Sequence, residues 1–240
     1  MTVHFHGTPI TPRTSLLRLA GRHFCVSFAA PNDVAVCHEI GQMVMLDNGA
    51  YSIWKKTGKS KSEWNDYYRW TEKWLEYKTT WAVIPDVIDG GEADNDRLLT
   101  EWPHGGWQGA PVWHLDESID RLLRLCNGDY YRVCFGSSGD YQTVGSPRWA
   151  NRITEALNAL VEKYGKIPVW LHMLRGMAMC GPSYPFASVD STDVGQNYHL
   201  DGQIVDRANR WDVVQCPGVW TPKPLQETLY EWSIFPAAQR

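Results

Sequence analysis

The sequence predicts an α/β fold, a single (β/α)8 TIM-like barrel spanning residues 1–240. Three observations point to it. Short apolar runs recur along the chain, each ending in polar or glycine-rich residues. Amphipathic segments of helical period separate several of them. The 240 residues hold about eight such strand–helix units, compact for that architecture.

The apolar runs are residues 24–28, 43–46, 81–84, 111–115, 131–135, 167–173, 186–189 and 212–214. Most are too short for helices, rich in Val, Ile, Trp or Tyr, and not strictly alternating, as strands buried on both faces of a parallel sheet are. Ser62 is placed to cap a helix in which Trp64, Tyr67, Tyr68, Thr71, Trp74 and Leu75 recur at helical spacing. Residues 118–125 and 149–164 are amphipathic, and the second stops at Gly165, a C-terminal cap residue. Strands alternating with helices imply crossovers and a parallel sheet. A doubly wound open sheet is the alternative, but neither Gly-x-Gly-x-x-Gly after the first strand nor Gly-x-x-x-x-Gly-Lys-Ser/Thr is present to support its nucleotide-binding versions. No repeat, low-complexity tract or linker divides the chain.

Composition bounds the function. A net charge of −4 argues against broad, charge-driven binding to nucleic acid while leaving room for a local basic groove. No apolar run is long enough to span a membrane, and residues 1–6 read as no signal peptide. Cys25, Cys37, Cys126, Cys134, Cys180 and Cys216 are scattered without a Cys-x-x-Cys pair, the usage of reduced thiols in a cytoplasmic protein.

In a barrel, chemistry gathers where strands end. The strand ends read Asp47-Asn48-Gly49-Ala50-Tyr51, Pro85-Asp86, His114-Leu115-Asp116-Glu117, Gly136-Ser137-Ser138-Gly139, His172-Met173-Leu174-Arg175 and Ser188-Val189-Asp190-Ser191-Thr192-Asp193. Carboxylates converging on one mouth opposite a glycine-rich turn suit a cationic transition state, in which one attacks an electron-poor carbon and another moves protons. Glycosyl transfer is the common reaction of that type. Each residue also has a plain structural use: Asp-Asn-Gly is a turn sequence, and Asp86, Asp116 and Asp190 stand where helix caps stand.

Two further clusters bear on function. His4 and His6 share one strand face, and with His114, His172 and Asp190 they would form the ligand set of a metal-dependent hydrolase; a surface or hydrogen-bonding pair is the plainer use of the two. Four lysines in 54–61, with Arg69, Lys73 and nearby tryptophans, suit either a solvated loop or a phosphate-contacting rim with stacking rings. Arg148, Arg152 and Arg175 divide between rim contacts and ordinary salt bridges.

These strand ends resemble the tRNA-guanine transglycosylase superfamily, and more closely its small phage-type relatives that place 7-deazaguanine bases into DNA. Asp47-Asn48-Gly49-Ala50-Tyr51 is similar to the family's Asp-Ser-Gly-Gly-Phe strand end, Ile84-Pro85-Asp86 to its base-recognising aspartate segment, Phe135-Gly136-Ser137-Ser138-Gly139 to its glycine-rich turn, and Phe186-Ala187-Ser188-Val189-Asp190 to the segment of its nucleophile. The resemblance covers roughly residues 24–200. It implies that Asp190 attacks the anomeric carbon and expels guanine, that Asp47 serves as general acid or base, that Asp86 bonds the purine edge, and that the Gly136 and Ser137 amides lie at its far side. His114, His172 and Asp193 are further candidates for binding substrate, and Asp193 competes with Asp190 for the nucleophile's role. The implied partners are nucleic acid, DNA in preference to tRNA, and a 7-deazaguanine-type base, with no cofactor. The family's Cys-x-Cys-x-x-Cys and His zinc site is absent, and Ser-Thr-Asp replaces the Pro-Thr-Arg run after the nucleophile. A non-catalytic nucleotide- or nucleic-acid-binding module is the third class of function the sequence leaves open.

Overall fold

The computed structural model describes residues 2–178, 183–201, 203–216 and 218–226. Its strands are β1 (Val3–Gly7), β2 (His23–Ser27), β3 (Met43–Asp47), β4 (Thr80–Val83), β5 (Gly109–Ala110), β6 (Val112–His114), β7 (Arg132–Gly136), β8 (Trp170–Met173) and β9 (Ser188–Ser191). All pair in parallel, in the order β5-β4-β3-β2-β1-β9-β8-β7-β6. Only Pro111 separates β5 from β6. One half pairs with β4 and the other with β7, so residues 109–114 act as a single strand position that closes the ring. Proline has no N–H to donate and sits where the ladder changes partner; its carbonyl still accepts from the Cys134 N–H at 2.9 Å. The chain is therefore an α/β barrel of TIM-like order, with eight strand positions.

The helices are α1 (Arg13–Leu17), α2 (Val34–Ile40), α3 (Ala50–Thr57), α4 (Asn65–Trp74), α5 (Glu92–Glu101), α6 (Ile119–Leu125), α7 (Pro147–Tyr164), α8 (Asp193–Asp201) and α9 (Ile204–Asp212). Ser118 and Ser146 cap α6 and α7, each accepting from the backbone N–H three residues on. Gly165 ends α7 at φ +72°, a conformation glycine adopts without strain.

Side chains alternate along each strand. Phe5, Cys25, Met45, Trp81, Val83, Ala110, Val112 and Cys134 fill the barrel interior. Their strand neighbours point outward: Phe24, Val26, Val44, Leu46, Ala82 and Ile84 into one apolar layer, and Trp113, Val133, Phe135, Leu171 and Val189 into a second, beneath α6 and α7. The same two-residue period carries Asp47, His114 and Gly136 inward at the C-terminal mouth, two residues beyond Met45, Val112 and Cys134. Asp190 lies in register with the inward Phe5 and points the same way.

The sequence-based expectations fail at three places. β1 was not among the predicted apolar runs, because its histidines break the pattern; they are buried by hydrogen bonding instead. Residues 212–214 form no strand. Asp212 ends α9, and the Val213 and Val214 N–H groups bond back to Asn209 and Trp211. Ser62 caps nothing, since α4 begins after Trp64 and no side-chain cap serves it. No helix among the described residues is long and apolar enough to cross a membrane. Cys25, Cys37, Cys126 and Cys134 are buried free thiols and Cys216 is partly buried; Cys180 lies outside the described residues. Burial pushes the Cys126 thiol up to about 12, so it stays protonated.

Candidate active site

Asp47 closes β3 and is held from both sides of its turn. Its Oδ2 accepts from the Gly49 N–H at 3.1 Å, and Ser27 on β2 also bonds it. The turn use and the inward placement therefore coexist. Burial is the main reason its pKa rises to about 6. The Ser27 hydrogen bond opposes that rise, the charges of Asp190 and Asp86 add to it, and Arg175 opposes it. A carboxyl poised there both donates and accepts protons near neutral pH.

Asp86 follows β4 and is 7% exposed. Asn48 Nδ2 donates to its Oδ1 at 2.8 Å, and His114 Nε2–H donates to its Oδ2 at 2.8 Å. Each oxygen keeps a second lone pair. The His114 ring spans two carboxylates, because its Nδ1 lies 3.6 Å from Glu117 Oε1. Burial disfavours a charged ring here, but Asp86 and then Glu117 outweigh it and push His114 up to about 10. The competing arrangement is a neutral ring accepting from Asn95 Nδ2 at 3.2 Å. That is one neutral hydrogen bond against two charge-assisted partners, so the proton stays. Arg121, 1% exposed, anchors Glu117 from behind, its Nη1 donating to Oε2 at 2.6 Å.

Asp190 Oδ1 accepts from His172 Nε2 at 3.2 Å and from the Arg175 backbone N–H at 3.0 Å, while its Oδ2 has no hydrogen-bond partner among the described residues. A chain of buried groups fixes the ring tautomer. The Trp170 indole only donates, and it donates to Ser188 Oγ at 2.6 Å. His172 Nε2–H faces Asp190 Oδ1, so the neutral ring's Nδ1 carries no proton and accepts from the Ser188 hydroxyl at 2.7 Å.

Six of the expected residues thus meet at one mouth: Asp47, Asp86, His114, Gly136, His172 and Asp190. Gly136 is there for a steric reason, since a Cβ would stand 2.9 Å from the His114 ring. The expectation that His172 binds substrate is corrected. The ring is 0% exposed and reaches the mouth only through its hydrogen bond to Asp190. The Ser137 side chain turns outward, where Oγ accepts from the Trp149 indole at 3.0 Å, which leaves the expectation for its backbone amide unaffected.

Asp193 does not share the mouth. As the first residue of α8 it accepts from Arg207 twice (2.8 and 2.7 Å), from Trp211 at 2.8 Å and from Asn197 at 2.9 Å. Partial burial works against its charge, but these donors hold it down at about 2. Asp193→Asn is accordingly expected to destabilise the fold by about 1–3 kcal/mol in urea unfolding while turnover per folded molecule is kept. Loss of turnover at unchanged stability would reverse the order of Asp190 and Asp193.

The set of His4, His6, His114, His172 and Asp190 is not assembled. His4 and His6 point out of the barrel, His4 Nε2 to the Val214 carbonyl at 2.7 Å and His6 Nε2 to Asp212 Oδ1 at 3.0 Å, where Arg22 also pairs. Among the described residues no three His, Cys, Asp or Glu side chains are placed to share an ion. Of the arginines, Arg152 braces the β6 loop through the Leu115 and Glu117 carbonyls, and Arg148 pairs with Asp140 on the surface. Lys61 pairs with Asp66. Of Arg148, Arg152 and Arg175, it is Arg175 that reaches the mouth. A depression of about 670 Å3 lined by Trp107, Tyr131 and Trp170 lies at the opposite, N-terminal ends of β7 and β8, away from every one of these carboxylates.

Sequence reasoning missed Asn95, which no strand-end signal marks, and the supporting use of Asn48 and Glu117, which were visible only as neighbours of Asp47 and His114. Comparison of the chain with protein-family models, with curated proteins and with solved structures returns no match.

Proposed function

We propose that the protein is a base-exchanging transglycosylase that replaces guanine in nucleic acid, DNA in preference to tRNA, with a 7-deazaguanine derivative. The observation that carries this reading is that Asp47 and Asp190, more than 140 positions apart in the chain, point inward at the same mouth, close enough for the Asp190 charge to push the Asp47 carboxyl up, beside an Asp86 anchored by Asn48 and His114. Paired carboxylates about a sugar stabilise an oxocarbenium-like transition state and divide one hard displacement into two.

Asp190 Oδ2 attacks C1′ as the C1′–N9 bond breaks, and guanine departs with the bonding electrons and a proton from Asp47. The incoming base then returns its N9 proton to Asp47, and N9 attacks C1′ to free Asp190. Asp86 accepts hydrogen bonds from the purine's N–H edge through its remaining lone pairs. The choice of 7-deazaguanine and of DNA rests on the family resemblance, as do the roles of Asp190 and Asp47; the unpartnered Asp190 Oδ2 and the raised Asp47 carboxyl support those roles. A target base inside a duplex must be flipped out or presented single-stranded to reach the mouth. Incubation with labelled guanine and a guanine-containing DNA or tRNA tests the reading. Incorporation of label supports it, and none into either by folded protein overturns it.

A further inference from the structure

We propose that the Tyr51–Arg175 pair on the rim of the mouth binds a phosphodiester beside the reacting sugar, so that the nucleoside enters as part of a polynucleotide strand. This rests on the transglycosylase reading for the sugar's position and adds what holds the strand. Arg175 follows β8 in the left-handed region at φ +58°, a position a non-glycine residue holds only when its surroundings demand it. The demand is visible: that conformation delivers its backbone N–H to Asp190 Oδ1 and sends its side chain outward.

The guanidinium does not turn back onto Asp47 or Asp190. It lies 3.4 Å from the centre of the exposed Tyr51 ring, and no carboxylate among the described residues forms an ion pair with it. Stacked on its face, a guanidinium keeps its in-plane N–H fork free for a planar or tetrahedral anion. The residue that orients the nucleophile by its backbone therefore offers a phosphate-binding edge by its side chain. A sugar with C1′ at Asp190 carries its phosphates one ring away.

The rim continues along α3. Trp54 lies 6.0 Å from Tyr51, and Lys55 follows Tyr51 by one helical turn, exposed. A chain of net charge −4 with an acidic mouth repels polyanions elsewhere, so a local cation on an aromatic platform decides where a strand can lie.

Anisotropy of a labelled single-stranded DNA containing one guanine, titrated with the full chain at two salt concentrations, tests this without turnover. Wild type should bind with a salt-dependent affinity. Arg175→Ala should weaken binding about tenfold and lower the salt slope by about one. Arg175→Lys, which keeps charge without the fork, and Tyr51→Ala should fall between, all with unchanged circular dichroism. An RNA strand and dGMP are the other arms, since the phosphodiester is common to both polymers and the free nucleotide lacks it. Arg175→Ala binding like wild type, no binding by wild type, or dGMP competing as well as either strand would each overturn the proposal. Arg175-dependent binding without guanine exchange would leave it standing and remove the transglycosylase reading; exchange by Arg175→Ala at unchanged KM would do the reverse.

Discussion

Asp190→Asn is expected to lower guanine exchange on the order of 10⁴-fold, the scale of loss when a covalent nucleophile is removed. The fold should survive the change. Asparagine keeps an oxygen for the His172 Nε2–H and the Arg175 N–H, the two donors that Asp190 Oδ1 accepts from, and its amide fills the volume of the unpartnered Oδ2. What disappears is the second anionic oxygen, which in this scheme makes the bond to C1′. Purified variant with an unchanged unfolding midpoint, assayed with labelled guanine, checks the point. Exchange within tenfold of wild type would remove Asp190 from the nucleophile's role.

Asp47→Asn should cost roughly 10²- to 10⁴-fold, the range for a positioned acid–base group, and should change the shape of the pH profile. With Asp47 at about 6, exchange in wild type should show a limb near pH 6 that the asparagine variant lacks. Stability should move with it. A carboxyl whose folded pKa lies above its ordinary 3.8 binds protons more tightly in the native state. Its ionisation therefore weakens the fold as pH rises from about 4 to about 6, and the loss is complete above that window. Denaturation midpoints measured across that window should fall with pH in wild type and flatten in Asp47→Asn.

Much of the barrel was legible because its strands are short apolar runs bounded by turn residues, and for several runs the residue that follows is one the fold delivers to the mouth. Met45-Leu46-Asp47 and Ser188-Val189-Asp190 are examples: an apolar end, then a polar group at the rim. β1 was not among the apolar runs because alternating His and Phe breaks the apolar pattern. Its histidines are instead stabilised by the 212–214 segment, more than 200 residues on, a pairing no local pattern announces. The same segment was mistaken for a strand because Val213 and Val214 are β-formers, whereas backbone bonds to Asn209 and Trp211 keep it at the end of a helix.

The choice between Asp190 and Asp193 was not legible either. Both lie in one short polar stretch, and it is Arg207 and Trp211 on α9, the next helix along the chain, with Asn197 on α8, that hold Asp193 away from the mouth. Arg175 was visible as a cation near a strand end, but its use depends on a backbone conformation that the residue type disfavours. Sites built from side chains at strand ends are thus readable in outline, while the groups that orient them come from helices such as α5, whose Asn95 looks like any polar helix residue.

Acid-quenched intact-mass analysis during exchange on a guanine-containing oligonucleotide probes the covalent sugar–carboxylate bond itself. The bond requires protein heavier by the oligonucleotide less one guanine, with the adduct mapped by proteolysis to Asp190 and absent in Asp190→Asn. Unmodified protein throughout the reaction, or an adduct on any other residue, would contradict it.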